Sequence, residues 1–140
     1  MKKSVLFLVL PLMAILLGVS SCKKDDNNSK FSATFSETSD ECVVTVKASE
    51  STLWQVGALD ENMIKALKLG DPINDKQKIC EWIAQQAPGF YEGNNVIGFY
   101  KSDLTPNVKT YFYTFSVNNV DEAKVTEILE VFDYTLTSNN

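Results

Sequence analysis

The chain has 140 residues, with 13 Lys, no Arg, no His and 18 acidic residues, for a net charge of −5. An acidic surface without Arg is a poor nucleic-acid partner, because binding phosphate needs cations to displace counterions. Without His, Ser-His-Asp and Cys-His catalysis and most zinc sites are excluded.

Lys2 and Lys3 open the chain, and Val5 to Val19 is an apolar run broken only by Pro11 and Gly18. That run is shorter than the roughly 20 residues that cross a bilayer as a helix. A basic start, a short apolar run and small residues at its end make a secretory signal rather than a transmembrane anchor. The run ends in Leu17-Gly18-Val19-Ser20-Ser21-Cys22, with Lys23-Lys24-Asp25-Asp26 behind it. This stretch resembles the lipobox of bacterial lipoproteins, in which small residues precede a cysteine that is lipidated and becomes the mature N-terminus. The resemblance implies a signal peptide over 1–21 and two or three acyl chains on Cys22. Each buried methylene contributes about 0.8 kcal/mol, and more than one chain makes the anchor stable.

Cys22-Lys23-Lys24-Asp25-Asp26 also resembles the start of many Bacteroidota lipoproteins, where an acidic tract after the cysteine accompanies export to the outer face of the outer membrane. The implied location is the outer membrane, lipid-anchored and facing the cell surface. The plainer reading of these residues is a solvated tether. Residues 22–30 then form the lipidated cysteine and a polar, disordered tether, whose last eight residues reach roughly 25–30 Å at full extension. Removing 1–21 leaves 119 residues, and losing Lys2 and Lys3 leaves 11 Lys against 18 acids, or −7. That length supports one modest core over 31–140.

Phe31, Ala33 and Phe35 alternate with Ser32, Thr34 and Ser36, which predicts a first strand. Glu37 to Asp40 is turn-like. Cys42, Val44 and Val46 alternate with Val43, Thr45 and Lys47 in a second strand, and Leu53 to Ala58 makes a third. The period then changes. Asp60 can cap a helix with Met63, Ile64 and Leu67 on one face, ended by Gly70 with Pro72 behind it. Asn74 or Asp75 can cap a second helix with Ile79, Trp82 and Ile83 on one face, ended by Pro88-Gly89. Gly93-Asn94-Asn95 is a turn before a strand at Val96 to Tyr100. Thr110 to Val117 is the longest β-run, Asn118 to Ala123 turns the chain, and Val125 to Leu136 is a final strand with room for a bulge. Short strands with polar turns predict a mainly β, antiparallel sandwich.

Leu104-Thr105-Pro106-Asn107-Val108-Lys109-Thr110-Tyr111-Phe112-Tyr113-Thr114-Phe115-Ser116-Val117-Asn118 resembles the E–F corner and F strand of fibronectin type III domains. It resembles more closely the fibronectin-like domains of Bacteroidota surface lipoproteins, where Leu-x-Pro-Gly-Thr-x-Tyr turns the corner. The resemblance implies a fibronectin type III-like sandwich over 31–140, with residues 60–88 as a two-helix insertion after the third strand. Asn107 stands for the usual Gly and accepts the same left-handed backbone. Val108 stands for Thr, and Thr110 stands where the corner Tyr would be, with Tyr111 one place on. Either the corner hydrogen bond is lost or the register slips by one, which would exchange the strand's two faces.

Phe90-Tyr91, Phe99-Tyr100 and Tyr111-Phe112-Tyr113 are neighbours in strands, and neighbours point to opposite faces. Both faces of that sheet therefore carry aromatic groups. One is the sandwich core, and the other needs cover or a ligand. The economical solution packs Ile64, Leu67, Ile79, Trp82 and Ile83 over the outer aromatic face. The sharper one leaves Tyr and Trp rings as a sugar-stacking platform. With Cys22 lipidated, Cys42 and Cys80 remain in a compartment where disulfides persist. If the helices cover the other sheet, the two lie in different layers as separate buried thiols.

Candidate chemistry is thin. Asp71, Asn74 and Asp75 cluster between the helices without EF-hand spacing, and helix capping accounts for them. Glu127, Glu130 and Asp133 blunt an edge strand. No Gly-rich phosphate loop appears, Ser and Thr have no His base, and neither a metal nor a cofactor is implied. The residues point to a non-catalytic binding or accessory module for a protein or glycan partner. Contact is expected through the helices and the Gly70–Asp75 connection, with Asp71, Asn74 and Asp75 at the rim, or through Trp54 and Trp82 if exposed. The alternative is a structural or assembly component of a cell-envelope complex.

Overall fold

In a computed structural model, the described residues are 30–86 and 88–137. The expected signal peptide, Cys22 and the expected tether before Lys30 lie outside them. Strands β1 (Ser32–Glu37), β2 (Glu41–Lys47) and β3 (Leu53–Asp60) are followed by helices α1 (Glu61–Ala66) and α2 (Lys76–Gln85). Then come β4 (Tyr91–Glu92), β5 (Asn95–Tyr100), β6 (Lys109–Val117), β7 (Val125–Ile128) and β8 (Phe132–Thr135). The architecture is mainly β, with two antiparallel sheets ordered β1-β2-β5 and β4-β3-β6-β7, and β8 also paired to β6.

Alternation builds the core between the sheets. Ala33 and Phe35 from β1, Cys42, Val44 and Val46 from β2, and Ile97 and Phe99 from β5 face Trp54, Val56 and Ala58 of β3 and Phe112 of β6. The rings of Phe35 and Phe112 meet across the layer at 5.4 Å between centroids. Each fully buried large apolar side chain here contributes roughly 1.5–3 kcal/mol relative to exposure.

The second sheet is buried on both faces. Tyr111, Tyr113, Phe115 and Val117 of β6 point away from the first sheet and are covered by Ile64 of α1 and Ile79, Cys80 and Ile83 of α2. The economical cover is thus the one adopted, with one exception. Leu67, expected on the aromatic face, is instead 39% exposed: α1 ends at Ala66, short of two full turns, and Leu67 is its C-cap.

Close approach of α2 depends on Gly57. A Cβ there would lie 2.8 Å from Cγ2 of Ile83, so only a bare Cα lets the helix seat on β3. The even-numbered residues of β6 face the sandwich core, and three of them are polar: Thr110, Thr114 and Ser116 are all buried. Thr110 therefore occupies the inward place at the start of the strand, and Tyr111 packs under the helices. Among the described residues the Oγ1 of Thr114 has no hydrogen-bond partner.

Several boundaries differ from expectation. β4 pairs Leu53 and Trp54 of β3 and was not foreseen, since two residues carry no period. The final strand is divided: β7 pairs the end of β6 and β8 its beginning, with Leu129 N–H still donating to the Thr114 carbonyl at 2.9 Å. The bend before β6 follows expectation at Asn107, which adopts φ 66°, with Leu104 buried in the core beneath it.

Candidate functional site

Asp60 ends β3 and caps α1, its Oδ1 accepting from Met63 N–H at 2.8 Å. The helix stops at Ala66, and the left-handed residue that closes it is Lys68, not Gly70. Lys68 has φ 54°, its N–H donates to the Lys65 carbonyl and Leu69 N–H to the Ile64 carbonyl, both at 3.0 Å. These are the two bonds of a Schellman cap, with a lysine where glycine is usual. Leu69 then dips into the helix–sheet core, and Gly70 turns the chain at φ 97°.

The connection Gly70–Asp75 is knitted to itself. Asp71 N–H donates to Asp75 Oδ2 at 2.6 Å. Asp71 Oδ2 accepts from Ile73 N–H at 3.0 Å and Asn74 N–H at 2.8 Å. Those two donors, Asn74 first, hold the Asp71 carboxyl below the ordinary carboxylate range. A Cβ on Gly70 would collide with the Asp75 carboxylate. The Tyr113 hydroxyl donates to the Pro72 carbonyl at 2.9 Å and ties the turn down to the sheet. Asp75 stands at the N-cap of α2, but its side chain makes no cap hydrogen bond, because it is turned back onto Asp71. Asp71 instead closes the turn before α2, through the Ile73 and Asn74 N–H groups.

The carboxylates at this rim are therefore structural. The connection offers solvent the exposed Asp71, Asn74 and Asp75 together with one apolar side chain, Ile73 at 46% exposure, and Leu67 is exposed nearby at the end of α1. The chain pattern contained the one signal that finds Ile73, a β-branched residue set in an otherwise polar turn.

Neither tryptophan is a free platform. Trp54 is fully buried, stacks on Tyr91 at 4.8 Å and donates its indole N–H to the Gly93 carbonyl at 2.9 Å. Trp82 is part-buried, packed against the helix–sheet core. The exposed aromatic ring among the described residues is Tyr100, which the alternation in β5 left pointing away from the core.

The thiols of Cys42 and Cys80 are free, buried and in separate layers. Burial pushes Cys42 up to about 11 and Cys80 up to about 12. Among the described residues no group of three His, Cys, Asp or Glu is placed to hold a metal ion. No helix among them is long and apolar enough to cross a membrane. No known family, curated protein or solved structure matches the chain.

Proposed function

We propose that this protein is a lipid-anchored outer-membrane lipoprotein whose folded part is a fibronectin type III-like domain carrying α1 and α2 as an insertion. It acts by contact, as a surface-facing binding or accessory module without catalysis. The corner at Leu104–Val108 supports the fold assignment: it joins an edge strand of one sheet to a central strand of the other, with Asn107 left-handed. The insertion reading is supported by the position of both helices between β3 and β4, outside the two-sheet core.

The observation that carries the function is the Gly70–Asp75 connection. Its backbone is fastened by four local hydrogen bonds to or from Asp71 and by Tyr113, yet it presents Ile73 to solvent, and Leu67 is exposed at the end of α1. Ordering was completed in the fold, so a partner loses little entropy in meeting it. A protein partner with a small apolar pocket fits this surface better than a glycan, because the two Trp rings are not offered.

Two measurements test the reading together. Mass spectrometry of the native N-terminus is expected to find acyl groups on Cys22, and Cys22→Ala is expected to release the chain from membranes. A photo-crosslinker at position 73 is expected to capture one envelope protein, and Leu67→Asp to abolish the adduct. An unmodified N-terminus starting elsewhere would remove the anchor. Equal capture from position 120, in the turn between β6 and β7, would remove the contact surface.

A further inference from the structure

The sheets have four edges, and two are blunted. β1 is a regular edge whose one charge, the terminal Glu37, is already held by Lys101 Nζ at 2.7 Å. β4 is two residues long. The edge formed by β7 and β8 is broken in two and carries Glu127 and Asp133. β5 is the other regular edge. It is Asn95-Val96-Ile97-Gly98-Phe99-Tyr100, with no charge, no proline and no bulge, and among the described residues it pairs with β2 only. Val96 N–H turns to its own neighbour, Asn95 Oδ1, at 3.0 Å. Natural sheets protect such an edge with lysine, proline or a bulge, since it is a ready template for another strand.

One corner of this edge is chemically marked. Tyr100, 47% exposed, lies directly opposite Glu41 of β2 on the sheet's outer face. The Glu41 carboxylate reaches across to β5: a Cβ on Gly98 would sit 2.6 Å from its Oε1. Among the described residues that carboxylate has no ion pair and no hydrogen bond. The lysine next in sequence does not serve it. Lys101 Nζ is spent on Glu37 and on the Thr38 carbonyl at 2.6 Å, and stands over the Tyr134 ring at 5.2 Å.

We propose that the free edge of β5 is a strand-addition site for an extended segment of a partner protein carrying a Lys or Arg, whose cation sits between the Glu41 carboxylate and the Tyr100 ring. Main-chain hydrogen bonds supply the affinity and the side chain at the marked corner supplies the selection. The carboxylate offers the cation a charge partner and the exposed ring a second attraction. A second copy of this chain is the wrong occupant. Antiparallel self-pairing that keeps Val96, Gly98 and Tyr100 on one face brings two Glu41 carboxylates together, and like charges so placed are destabilising. The site is separate from the Gly70–Asp75 surface, so either proposal can fail alone.

The test uses the full chain, isotope-labelled in detergent, titrated with a short peptide of alternating valine and threonine carrying one central lysine. Saturable amide shifts are expected at Val96, Gly98 and Tyr100 and their β2 partners. Replacing the lysine by glutamate is expected to weaken binding about tenfold, and Glu41→Gln or Tyr100→Ala to weaken the lysine peptide about three-fold each. Val96→Lys, which sets a charge on the edge without touching the core, is expected to abolish binding. The proposal is overturned if the shifts appear elsewhere, if the glutamate peptide binds equally, or if the β5 shifts follow protein concentration without peptide, which would make the occupant a second copy.

Discussion

Tyr113 and Pro72 are joined by a hydrogen bond that crosses from sheet to connection. The hydroxyl of a buried residue in the middle of β6 donates to the Pro72 carbonyl at 2.9 Å. Burial raises the phenol well above its ordinary value, so it remains a protonated donor at any ordinary pH. Proline locks its own φ and leaves its carbonyl free to accept. Tyr113→Phe keeps the ring and removes the donor. A loss of about 1 kcal/mol is expected, with faster hydrogen exchange confined to residues 71–75. Unchanged exchange there would show that the Asp71 bonds hold the turn alone.

Lys68 holds a left-handed backbone at φ 54° with an exposed side chain. Left-handed geometry costs a residue with a Cβ roughly 1–2 kcal/mol, and glycine is free of that cost. Lys68→Gly should therefore raise stability by about 1 kcal/mol, read as a higher denaturant midpoint at unchanged slope.

Gly57 and Ile83 set how deeply α2 seats on the sheet. The added methyl of Gly57→Ala would meet Ile83 Cγ2 at 2.8 Å. The expected cost is about 1–3 kcal/mol. In an Ile83→Ala background the same change should cost clearly less, because the clashing atoms are gone. A double-mutant cycle that shows simple additivity would place the strain elsewhere.

The buried Oγ1 of Thr114 faces the sandwich core with no partner among the described residues. Thr114→Val keeps the branched shape and removes the stranded hydroxyl. Stability is expected to rise by about 1 kcal/mol, since an unsatisfied buried polar group costs roughly that or more. A fall would reveal a hydrogen bond made in solution.

Both thiols are raised from an ordinary value of 9, Cys42 to about 11 and Cys80 to about 12, by burial. In the unfolded chain they ionise at the lower pH, while in the folded chain they stay neutral. Their contribution to stability is thus whole below that ordinary value and is lost as pH rises through the folded ones. Wild type should lose more stability between about pH 8 and about pH 10.5 than a Cys42→Ala, Cys80→Ala chain. Neither thiol should react with a thiol reagent until the chain unfolds.

The sequence by itself determined what local physics decides. Period-two alternation located β1 and β2, because one face of each had to be apolar, while β3, β5 and β6 stood out as apolar and aromatic β-runs between turns. Asp60, Met63 and Ile64 announced α1 through a cap and a helical stripe. The adjacent aromatics of β6 required that both faces of that sheet be covered, and the only other apolar stripes were those of the two helices. Tertiary structure decided the rest, since it depends on partners distant in the chain. Nothing local says that Trp54 will be sealed by Tyr91 and Gly93, or that Asp75 will turn from its own helix to Asp71. Nor could alternation say which residue of a strand would be left without a neighbour. Tyr100 and Glu41 are 59 positions apart, and only the pairing of β2 with β5 sets them side by side at an open edge.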